Sequence, residues 1–557
     1  MTEICSSIAD SDEACPWPRR LLYIPTLTSF PWRPGNAYND IVEPDYFAIT
    51  YTWGRWELDD GDFPELKALD FGTPWKIPRV NPDCFTPDEL RQLIRKLPLV
   101  DGPDGPYAKV QFVWIDIACI NQQEESREKD LEIGRQAIIF KEAIRVYAWL
   151  RERTNAEIGA AFKIIEQGTE ILTEGEFGPQ LTKDQQYGLD LMLKGFHLLT
   201  SDPWFSSLWT LQEAYLRPEM LLLNRNGELW PSVSPSTPMW LKELTTFCEG
   251  LHYILKRALC RQFNLLQEIQ ARLQRTGLLG LYMEFPVELL MAAHFRTVGP
   301  KRISDRVYGI MQVFDLKLGK SALNSPPGRD YSLQELEDQL GSALLEQNQD
   351  LSQMFVHTRP AVPGQAWRIG RHTQVLASGL SYMYVVKDIK NLLQRVSTLS
   401  VKHVDSSSTL VGHFVGLMAP LPALTCIWSR HSARSASSVY IDLDAVTFFE
   451  PPTDLAYGGE NIREAVGTRY ADLASWVAEK RPDAKLLLLG IYQRDPRRAF
   501  ICLILVRAEP LNSTGWARTG ICVWEHWGGN DDLYENEERA LLGGEGKQWV
   551  NATGTFG

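Results

Sequence analysis

The chain has 557 residues, with 57 Lys and Arg against 70 Asp and Glu, which gives a formal net charge of −13 and an isoelectric point near 5.4. Nucleic acids and anionic lipid surfaces bind concentrated positive charge, so this balance argues against both as partners. Hydrophobic residues make up 44% and charged residues 23%, the composition of a globular protein, and the length suits roughly three or four folding units or two large ones.

Membrane insertion and secretion are not expected. The longest apolar run, at 499–506, suits a buried strand, whereas a membrane-spanning helix needs about 18 or more apolar residues. The first residues lead into Asp10, Asp12 and Glu13, and no basic start precedes an apolar core. We therefore expect no secretory signal and a cytoplasmic location.

Cysteine and histidine spacing predicts no metal centre. The nine cysteines are scattered and never form a C-x-x-C pair, which argues against a disulfide framework and a zinc knuckle. The nine histidines match no metal-ligand spacing. The chain also lacks the glycine-rich phosphate-binding patterns and the nucleophilic serine pattern, so we predict no resident cofactor.

Residues 1–45 are rich in proline and polar residues and are predicted to form an irregular lead-in with at most one short strand, at 21–24. Strands and helices then alternate. The predicted elements are a strand at 47–54, a helix from 86, a strand at 112–117, a helix at 125–144 and a strand at 146–150. This order predicts an α/β unit with a largely parallel sheet, whose ligand site lies at the carboxyl ends of the strands.

The rest of the chain is predicted to be helical and then β-rich. The α/β unit extends over 46–225, with an inserted helical pair within 151–200, a helix at 204–216 and a short strand at 220–223. A helical extension at 226–315, a linker rich in glycine and proline at 316–330 and a β-rich domain at 331–557 follow. Within that domain, the apolar runs at 485–492 and 499–506 predict an antiparallel hairpin.

Three sequence blocks, in their order and spacing, resemble the heterokaryon-incompatibility (HET) domain of filamentous fungi. They are FAITYTWG at 47–54, VWIDIACINQ at 113–122 and WFSSLWTLQE at 204–213. RISDRVYG at 302–309 resembles a further block that commonly follows that domain. The resemblance covers about residues 46–225. It implies a role in self/non-self recognition, as an effector of growth arrest or programmed cell death.

The HET domain is similar to the Toll/interleukin-receptor (TIR) fold, so the resemblance implies a TIR-like, flavodoxin-like parallel sheet with helical insertions. Some members of that fold cleave NAD at the nicotinamide glycosidic bond and carry the catalytic glutamate in a pattern like S-x-W-C-x-x-E. Ser207, Trp209 and Glu213 keep that spacing here, with Thr210 where cysteine is usual. The resemblance therefore implies that Glu213 is catalytic and that NAD is a substrate.

Cleavage of nicotinamide from ribose passes through an oxocarbenium-like state, which a carboxylate beside the sugar stabilises. Glu213 is the candidate for this role. The alternative is a solvated ion pair between Glu213 and Arg217, one helical turn further on. Trp209 shares a helix face with Glu213 and either lines a nicotinamide or nucleobase pocket or belongs to the core.

The second candidate segment is the end of the first strand and the loop after it. Its predicted substrate-binding residues are Tyr51, Trp53, Gly54 and Arg55. Gly54 permits close backbone approach to a ligand, and Arg55 can bind phosphate through two nitrogens. The alternatives are a turn with positive φ at Gly54 and, for Arg55, a surface charge near Asp59 and Asp60.

The second block supplies three further candidate substrate-binding residues, Asp116, Asn121 and Gln122. Asp116 closes an apolar strand and is either a ligand contact or the cap of the next loop. The amides of Asn121 and Gln122 either hydrogen-bond a ribose or hold the loop together. The charged residues within 302–306 predict an ion-pair cluster that ties the helical segment to the α/β unit, with phosphate binding as the alternative.

Three functions stay open from the sequence. We prefer an incompatibility effector whose α/β domain is activated by a protein partner or by self-assembly. In this hypothesis the domain hydrolyses NAD, a nucleotide-type small molecule, through Glu213. The second is an interaction module without a substrate. The third is a small-molecule enzyme of secondary metabolism that reuses the fold, with its pocket between the α/β domain and the β-rich domain.

Overall fold

The computed structural model describes residues 16–556 except for 59–67, 101–104, 124–125, 175–179, 233–237, 257–263, 283–285, 300–301, 327, 348, 350, 363, 371, 375–392, 404–409, 425–437, 445–468, 495–496, 509–514 and 528–548. The chain divides into two compact units, split between residues 336 and 337. Each unit is built around its own large β-sheet. Within the described ranges, no helix is long and apolar enough to cross a bilayer.

The first unit contains a six-stranded sheet and a small two-stranded ribbon. The sheet strands are β1 (Arg20–Tyr23), β2 (Thr28–Pro31), β5 (Tyr46–Thr50), β6 (Phe112–Trp114), β7 (Arg145–Trp149) and β8 (Leu221–Leu223), and the ribbon strands are β3 (Ala37–Tyr38) and β4 (Ile41–Val42). Spatial order in the sheet is β2-β1-β6-β5-β7-β8.

The four strands β6, β5, β7 and β8 run parallel to their neighbours. Every residue of β5 and β7 is buried, which is typical of a parallel sheet covered on both faces. The next strand in the sequence, β6, lies on one side of β5, whereas β7 and then β8 lie on the other side. The strand order therefore reverses between β5 and β7. Open α/β sheets bind ligands outside the carboxyl ends of the strands at such a switch point. The predicted α/β unit with a parallel sheet is confirmed.

The segment predicted to be an irregular lead-in carries four strands in its described part. β1 pairs antiparallel with β2 and with β6, where Leu22 lies opposite Val113. Leu21 and Leu22 are fully buried, and the Arg19 backbone N–H donates to both carboxylate oxygens of Glu132 at 3.1 Å. The strands are only two to four residues long, too short for a visible period in the sequence.

Helices cover the sheet between its strands. They are α1 (Pro87–Lys96), α2 (Asp116–Cys119), α3 (Arg127–Ile133), α4 (Gln136–Glu142), α5 (Asn155–Thr173) and α6 (Lys183–Thr200). The inserted pair α5 and α6 begins at two capping boxes, on Thr154 and Thr182. A Cβ added at Gly168 would lie 2.5 Å from the Gly188 carbonyl oxygen, so glycine permits the backbones of these two helices to touch.

The helix predicted at 204–216 is divided in two. A 3₁₀ helix, Pro203–Ser206, is followed by α7 (Leu208–Leu216), and Ser207 between them has extended backbone angles. The buried Arg296 guanidinium donates to the Trp204 carbonyl at 3.0 Å and to the Ser207 carbonyl at 2.7 Å. In a continuous helix these carbonyls would accept hydrogen bonds from backbone N–H groups one turn further on. Arg296 replaces those donors and thereby stabilises the break.

The remainder of the first unit is largely helical. Its helices are α8 (Leu241–Lys256), α9 (Asn264–Thr276), α10 (Leu278–Tyr282), α11 (Pro286–Phe295) and α12 (Asp305–Tyr308). The segment 316–330, predicted to be a linker, lies inside this unit instead of joining two. Gly319 has φ +53° and packs against Tyr308, and Arg127 Nη1 donates to the Lys320 carbonyl at 2.6 Å. The glycines and prolines therefore shape a packed turn.

The second unit follows α13 (Leu333–Gln347), which spans the division between the units. Its elements are β9 (Val356–His357), β10 (Thr373–Gln374), β11 (Leu393–Arg395), β12 (Thr398–His403), β13 (Leu410–Pro420), β14 (Ser438–Leu443), α14 (Arg469–Lys480), β15 (Lys485–Arg494), β16 (Arg497–Arg507), β17 (Trp516–Trp527) and β18 (Val550–Phe556). Five neighbouring strands form a closed ring, because the last one pairs with the first. In order, they are β15, β16, β17, β18 and β13. The predicted β-rich region is confirmed, with β15 and β16 antiparallel as the hairpin prediction requires.

Glu132 generates a stability prediction. Burial raises the pKa of Glu132 to about 7, although Arg135 and the Arg19 N–H oppose that rise. Because the folded-state pKa lies above the unfolded value, the folded chain binds the proton more tightly, and stability falls as pH rises from about 5 to about 7. We expect the wild type to lose about 2 kcal/mol over this range relative to Glu132→Gln. Denaturant unfolding at each pH measures this difference, and parallel pH profiles for the two proteins would contradict it.

Candidate functional site

Glu213 lies on α7, and its side chain reaches the carboxyl end of the central strand β5. The Thr50 hydroxyl, on the last residue of β5, donates to Glu213 Oε2. The same hydroxyl oxygen accepts from Trp204 Nε1 at 2.8 Å. Glu213 is only 7% exposed. The catalytic candidate is therefore a buried carboxyl tied to the strand end, where the sheet topology favours a ligand.

Burial raises the pKa of Glu213 well above its ordinary value. The Thr50 hydrogen bond opposes the rise, and the negative charge of Asp116 adds to it. The alternative of a solvated ion pair with Arg217 is wrong, because Arg217 Nη1 donates to the Lys141 carbonyl at 2.6 Å and to the Phe140 carbonyl at 3.2 Å. Glu213 therefore binds its proton more tightly than a surface carboxyl does.

Asp116 is the second carboxyl at this edge of the sheet. The predicted strand at 112–117 ends at Trp114, and Asp116 is the first residue of the short helix α2. Trp53 Nε1 donates to Asp116 Oδ2 at 2.6 Å, and the Ile117 N–H donates to Oδ1 at 2.6 Å. Asp116 thus binds the N–H of the next residue at the start of α2, whose N-cap residue is Ile115, and fixes the Trp53 indole. The carboxyl is half-buried, and burial raises its pKa.

Tyr51 supplies a buried hydroxyl beside these carboxyls. Its ring packs near Phe85 and Trp149, with centroids 5.8 and 6.2 Å away. The Tyr51 hydroxyl interacts with the Asp116 carboxyl, although within the described part of the chain this contact does not have ordinary hydrogen-bond geometry. Burial and the neighbouring Asp116 and Glu213 raise its pKa well above the usual value, so the hydroxyl stays protonated. A ligand oxygen at this position would compete with Asp116 for the donor.

Gly54 and Arg55 lie in the turn that follows β5, the 3₁₀ helix Gly54–Trp56. Gly54 does not have a positive φ, so that alternative is wrong. The nearest atom to a Cβ added there would be Arg302 Nη1, at 4.0 Å. Arg55 donates to the Thr297 hydroxyl at 2.7 Å and to the Ser206 hydroxyl at 3.4 Å. Its proposed neighbours at positions 59 and 60 lie outside the described residues.

Asn121 and Gln122 hold their own loop together. Gln122 Nε2 donates to the carbonyls of Ile120 at 2.8 Å and Asp116 at 3.1 Å. Asn121 Oδ1 accepts from the Gln123 N–H at 3.0 Å. Both amides are thus engaged within the loop after α2, which corresponds to the second of the two roles predicted for them.

Trp209 joins the site helix to the segment 302–306. Its Nε1 donates to Asp305 Oδ2 at 2.9 Å. The predicted ion-pair cluster is wrong in detail, because Arg302 pairs with Glu57 at 3.4 Å and Arg306 donates to the Ala293 and Arg296 carbonyls. These separate contacts tie the helical segment to the α/β unit, but Trp209 is not directed at the strand end through its indole N–H.

Sequence reasoning missed several residues that build the site. They are Thr50, Trp204 and Arg151. Thr50 and Trp204 fall inside the sequence blocks at 47–54 and 204–213, so the blocks indicated these positions. The blocks could not show the bond between Thr50 and Glu213, because it joins residues 163 positions apart. Among the described residues, no group of three or more His, Cys, Asp or Glu could hold a metal ion.

Residues 46–213 match the family model described as heterokaryon incompatibility protein (HET). The matched range begins with β5 and ends at Glu213, so it contains the three sequence blocks and most of the candidate site. This part of the chain is a HET domain, and the resemblance drawn from the blocks is confirmed. No curated protein and no solved structure matches the chain.

The Thr50 hydroxyl generates a second prediction. In Thr50→Val, the buried Glu213 carboxyl and the Trp204 indole N–H both lose their partner, at a cost of about 1–3 kcal/mol. Thr50→Ser keeps the hydroxyl and serves as the matched control. Urea unfolding should show the valine variant clearly less stable than the serine variant, whereas equal stabilities would show that this hydrogen bond contributes little.

Proposed function

We propose that this HET-domain protein is an effector of heterokaryon incompatibility and that its first unit hydrolyses NAD at the nicotinamide–ribose bond through Glu213. The HET domain supports the incompatibility role. The single observation that supports the chemistry is the buried Glu213 carboxyl, held by Thr50 at the carboxyl end of the central parallel strand. Programmed cell death is the outcome we propose for such NAD depletion.

The sheet topology is compatible with a TIR-like domain. Numbered among themselves, the four parallel strands are ordered 2-1-3-4. The same order occurs in flavodoxin-like sheets, in which the ligand binds where the order reverses. In this chain that position is occupied by the ends of β5 and β7, next to Tyr51 and Glu213. The topology supports a nucleotide-type ligand without identifying it.

The proposed reaction uses the proton-binding strength of Glu213. In the ligand-free protein, burial favours the neutral carboxyl. The nicotinamide ring of NAD is cationic, and a cation placed beside Glu213 favours the carboxylate instead. That carboxylate stabilises the oxocarbenium ion that develops on the ribose.

The bond changes of this reaction balance without a co-reactant other than water. The bond between C1′ of the ribose and the nicotinamide nitrogen breaks, and its electron pair stays on nicotinamide. Water adds to C1′ and loses a proton, which leaves ADP-ribose. The Tyr51 hydroxyl is the neutral donor that we assign to a ribose oxygen, because it is buried beside Glu213 and its contact with Asp116 lacks ordinary hydrogen-bond geometry.

A non-catalytic interaction module is the second candidate. Its support is that the Glu213 carboxyl already accepts a hydrogen bond from Thr50, and that Asn121 and Gln122 are engaged within their own loop. In that case α7 serves as a structural element, and activity depends on a protein partner or on self-assembly. Absence of NAD turnover in the following experiment would favour this module.

Nicotinamide release from NAD tests the proposal directly. We expect the full-length protein to release nicotinamide and Glu213→Gln to be slower by about 100-fold or more. The matched control is Glu219→Gln, on an exposed glutamate just after α7, which should keep wild-type activity. Circular dichroism checks that each variant is folded. A wild type that is inert even when crowded or oligomerised, or an active Glu213→Gln, would contradict the proposal.

The pH profile of kcat/KM tests the role of Glu213 as a carboxylate. Since the pKa of Glu213 in the free protein is raised, kcat/KM should increase with pH well above the ordinary carboxyl range. Asp116→Asn removes a neighbouring negative charge that adds to this rise, so the increase should move to lower pH. A profile that does not move, or that moves to higher pH, would contradict the assignment.

A further inference from the structure

Arg151 is a buried cation whose donors are incompletely satisfied. It lies two residues after β7 and is only 4% exposed. Within the described part of the chain, its Nη2 has no hydrogen-bond partner. Burying a charged donor without an acceptor costs several kcal/mol in order of magnitude, so a position of this kind calls for an acceptor from elsewhere.

Three aromatic rings surround the Arg151 guanidinium. Its central carbon lies 5.4 Å from the Trp56 ring centroid, 5.8 Å from Phe85 and 5.9 Å from Trp149. Aromatic faces attract a cation but do not accept hydrogen bonds in the plane of the guanidinium. The rings therefore hold Arg151 in place and leave its N–H groups available.

Asp202, an acidic side chain that interacts electrostatically with Arg151, is already engaged by backbone groups. Its Oδ1 accepts from the Trp204 N–H at 2.8 Å. Its Oδ2 accepts from the backbone N–H groups of Arg151 at 2.5 Å and Glu152 at 3.1 Å. Asp202 thus caps the start of the Pro203–Ser206 turn and leaves the Arg151 guanidinium without a direct carboxylate contact.

Arg55 brings a second guanidinium to the same place. Its central carbon lies 5.1 Å from the Trp56 ring centroid, so both arginines contact one indole. Both charges also act on the Cys84 thiol, whose pKa burial raises to about 12 and the two arginines lower. The side-chain partners of Arg55, Thr297 and Ser206, are neutral hydroxyls. The negative charge of Asp202 acts on both arginines, so one carboxylate faces two guanidiniums and the pair keeps a net positive charge.

The two arginines follow the two strands between which the strand order reverses. Arg55 lies in the turn after β5, and Arg151 lies two residues after β7. These strands are adjacent and parallel, with Thr50 paired to Ala148. Their carboxyl ends therefore open into one crevice, which is the usual ligand position in such sheets.

We propose that Arg151 and Arg55 together bind the diphosphate of a dinucleotide ligand. Guanidinium groups bind phosphate oxygens through two parallel N–H donors, and two guanidiniums match the two negative charges of a diphosphate. The identification of the ligand as a dinucleotide rests on the proposed function, whereas the anion site stands on the arginine geometry. Both guanidiniums contact the Trp56 ring.

Calorimetric titration of the full-length protein with ADP-ribose, inorganic pyrophosphate, orthophosphate and adenosine tests the site. The parent protein for the titrations is Glu213→Gln, which avoids turnover. Arg55→Gln and Arg151→Gln are each expected to weaken ADP-ribose and pyrophosphate binding at least 10-fold. The matched control is Arg33→Gln, on an exposed arginine paired with Asp40, which should leave binding unchanged. ADP-ribose should bind more tightly than orthophosphate, and adenosine affinity should be the same in all variants.

The result that would overturn the site is a parent protein that binds neither ADP-ribose nor pyrophosphate, or arginine variants that bind both as tightly as the parent. Orthophosphate binding as tightly as ADP-ribose would overturn the diphosphate assignment. If Arg151→Gln does not fold, the binding affinities of Arg55→Gln alone test the site, because Arg55 is more exposed than Arg151.

Pyrophosphate binding with no NAD hydrolysis would refute the proposed reaction and retain the anion site. Hydrolysis with unchanged binding in both arginine variants would refute the site and retain the reaction.

Discussion

The hydrogen bond between the Thr50 hydroxyl and the buried Glu213 carboxyl connects the central strand of the first sheet to helix α7. Thr50 can make this bond only because β5 ends there and the chain turns away from the sheet. Trp204 donates to the same hydroxyl, so the 3₁₀ turn, the helix and the strand end meet at one oxygen atom. The position and the proton affinity of Glu213 both depend on this arrangement, and so does every chemical role proposed for it.

Two buried arginines near this point differ in the number of acceptors that their guanidinium groups contact. Arg296 donates to the carbonyls of Trp204, Ser207 and Thr276 and to the Thr210 hydroxyl. It therefore has acceptors within the chain and stabilises the break before α7, although burial lowers its pKa to about 9. Arg151 contacts aromatic rings instead, and its Nη2 has no acceptor among the described residues. Arg296 also has a buried Nε without a partner among the described residues, so the difference lies in the four acceptors that its other nitrogens have within the chain. We therefore assign Arg296 a structural role and Arg151 the proposed ligand role.

The sequence predicted the parts of the fold that depend on local pattern. The parallel strands β5, β6 and β7 are apolar runs ended by polar or glycine-rich loops, and the order of the elements predicted their sheet. The prediction failed where a distant residue decides the local structure. The break at Ser207 depends on Arg296, 89 positions later. Strand β1 depends on pairing with β6 and on Glu132, 113 positions from Arg19. The packed turn at Gly319 depends on Tyr308, which no local pattern reveals. For the candidate site, the motif located Glu213 correctly beside the strand end, but the spacing could not show its partner Thr50 or the Arg151 guanidinium.

The protonation state of Glu213 is the most direct test of this account. Infrared difference spectra between wild type and Glu213→Gln isolate the carbonyl stretch of a protonated Glu213 from all other carboxyls. The account predicts that, in the ligand-free protein, this band persists to higher pH than the bands of ordinary carboxyls, and that an uncleavable NAD analogue with a cationic nicotinamide ring moves its loss to lower pH. A Glu213 that ionises in the ordinary carboxyl range, or a protonated band that the analogue leaves unchanged at every pH, would contradict it.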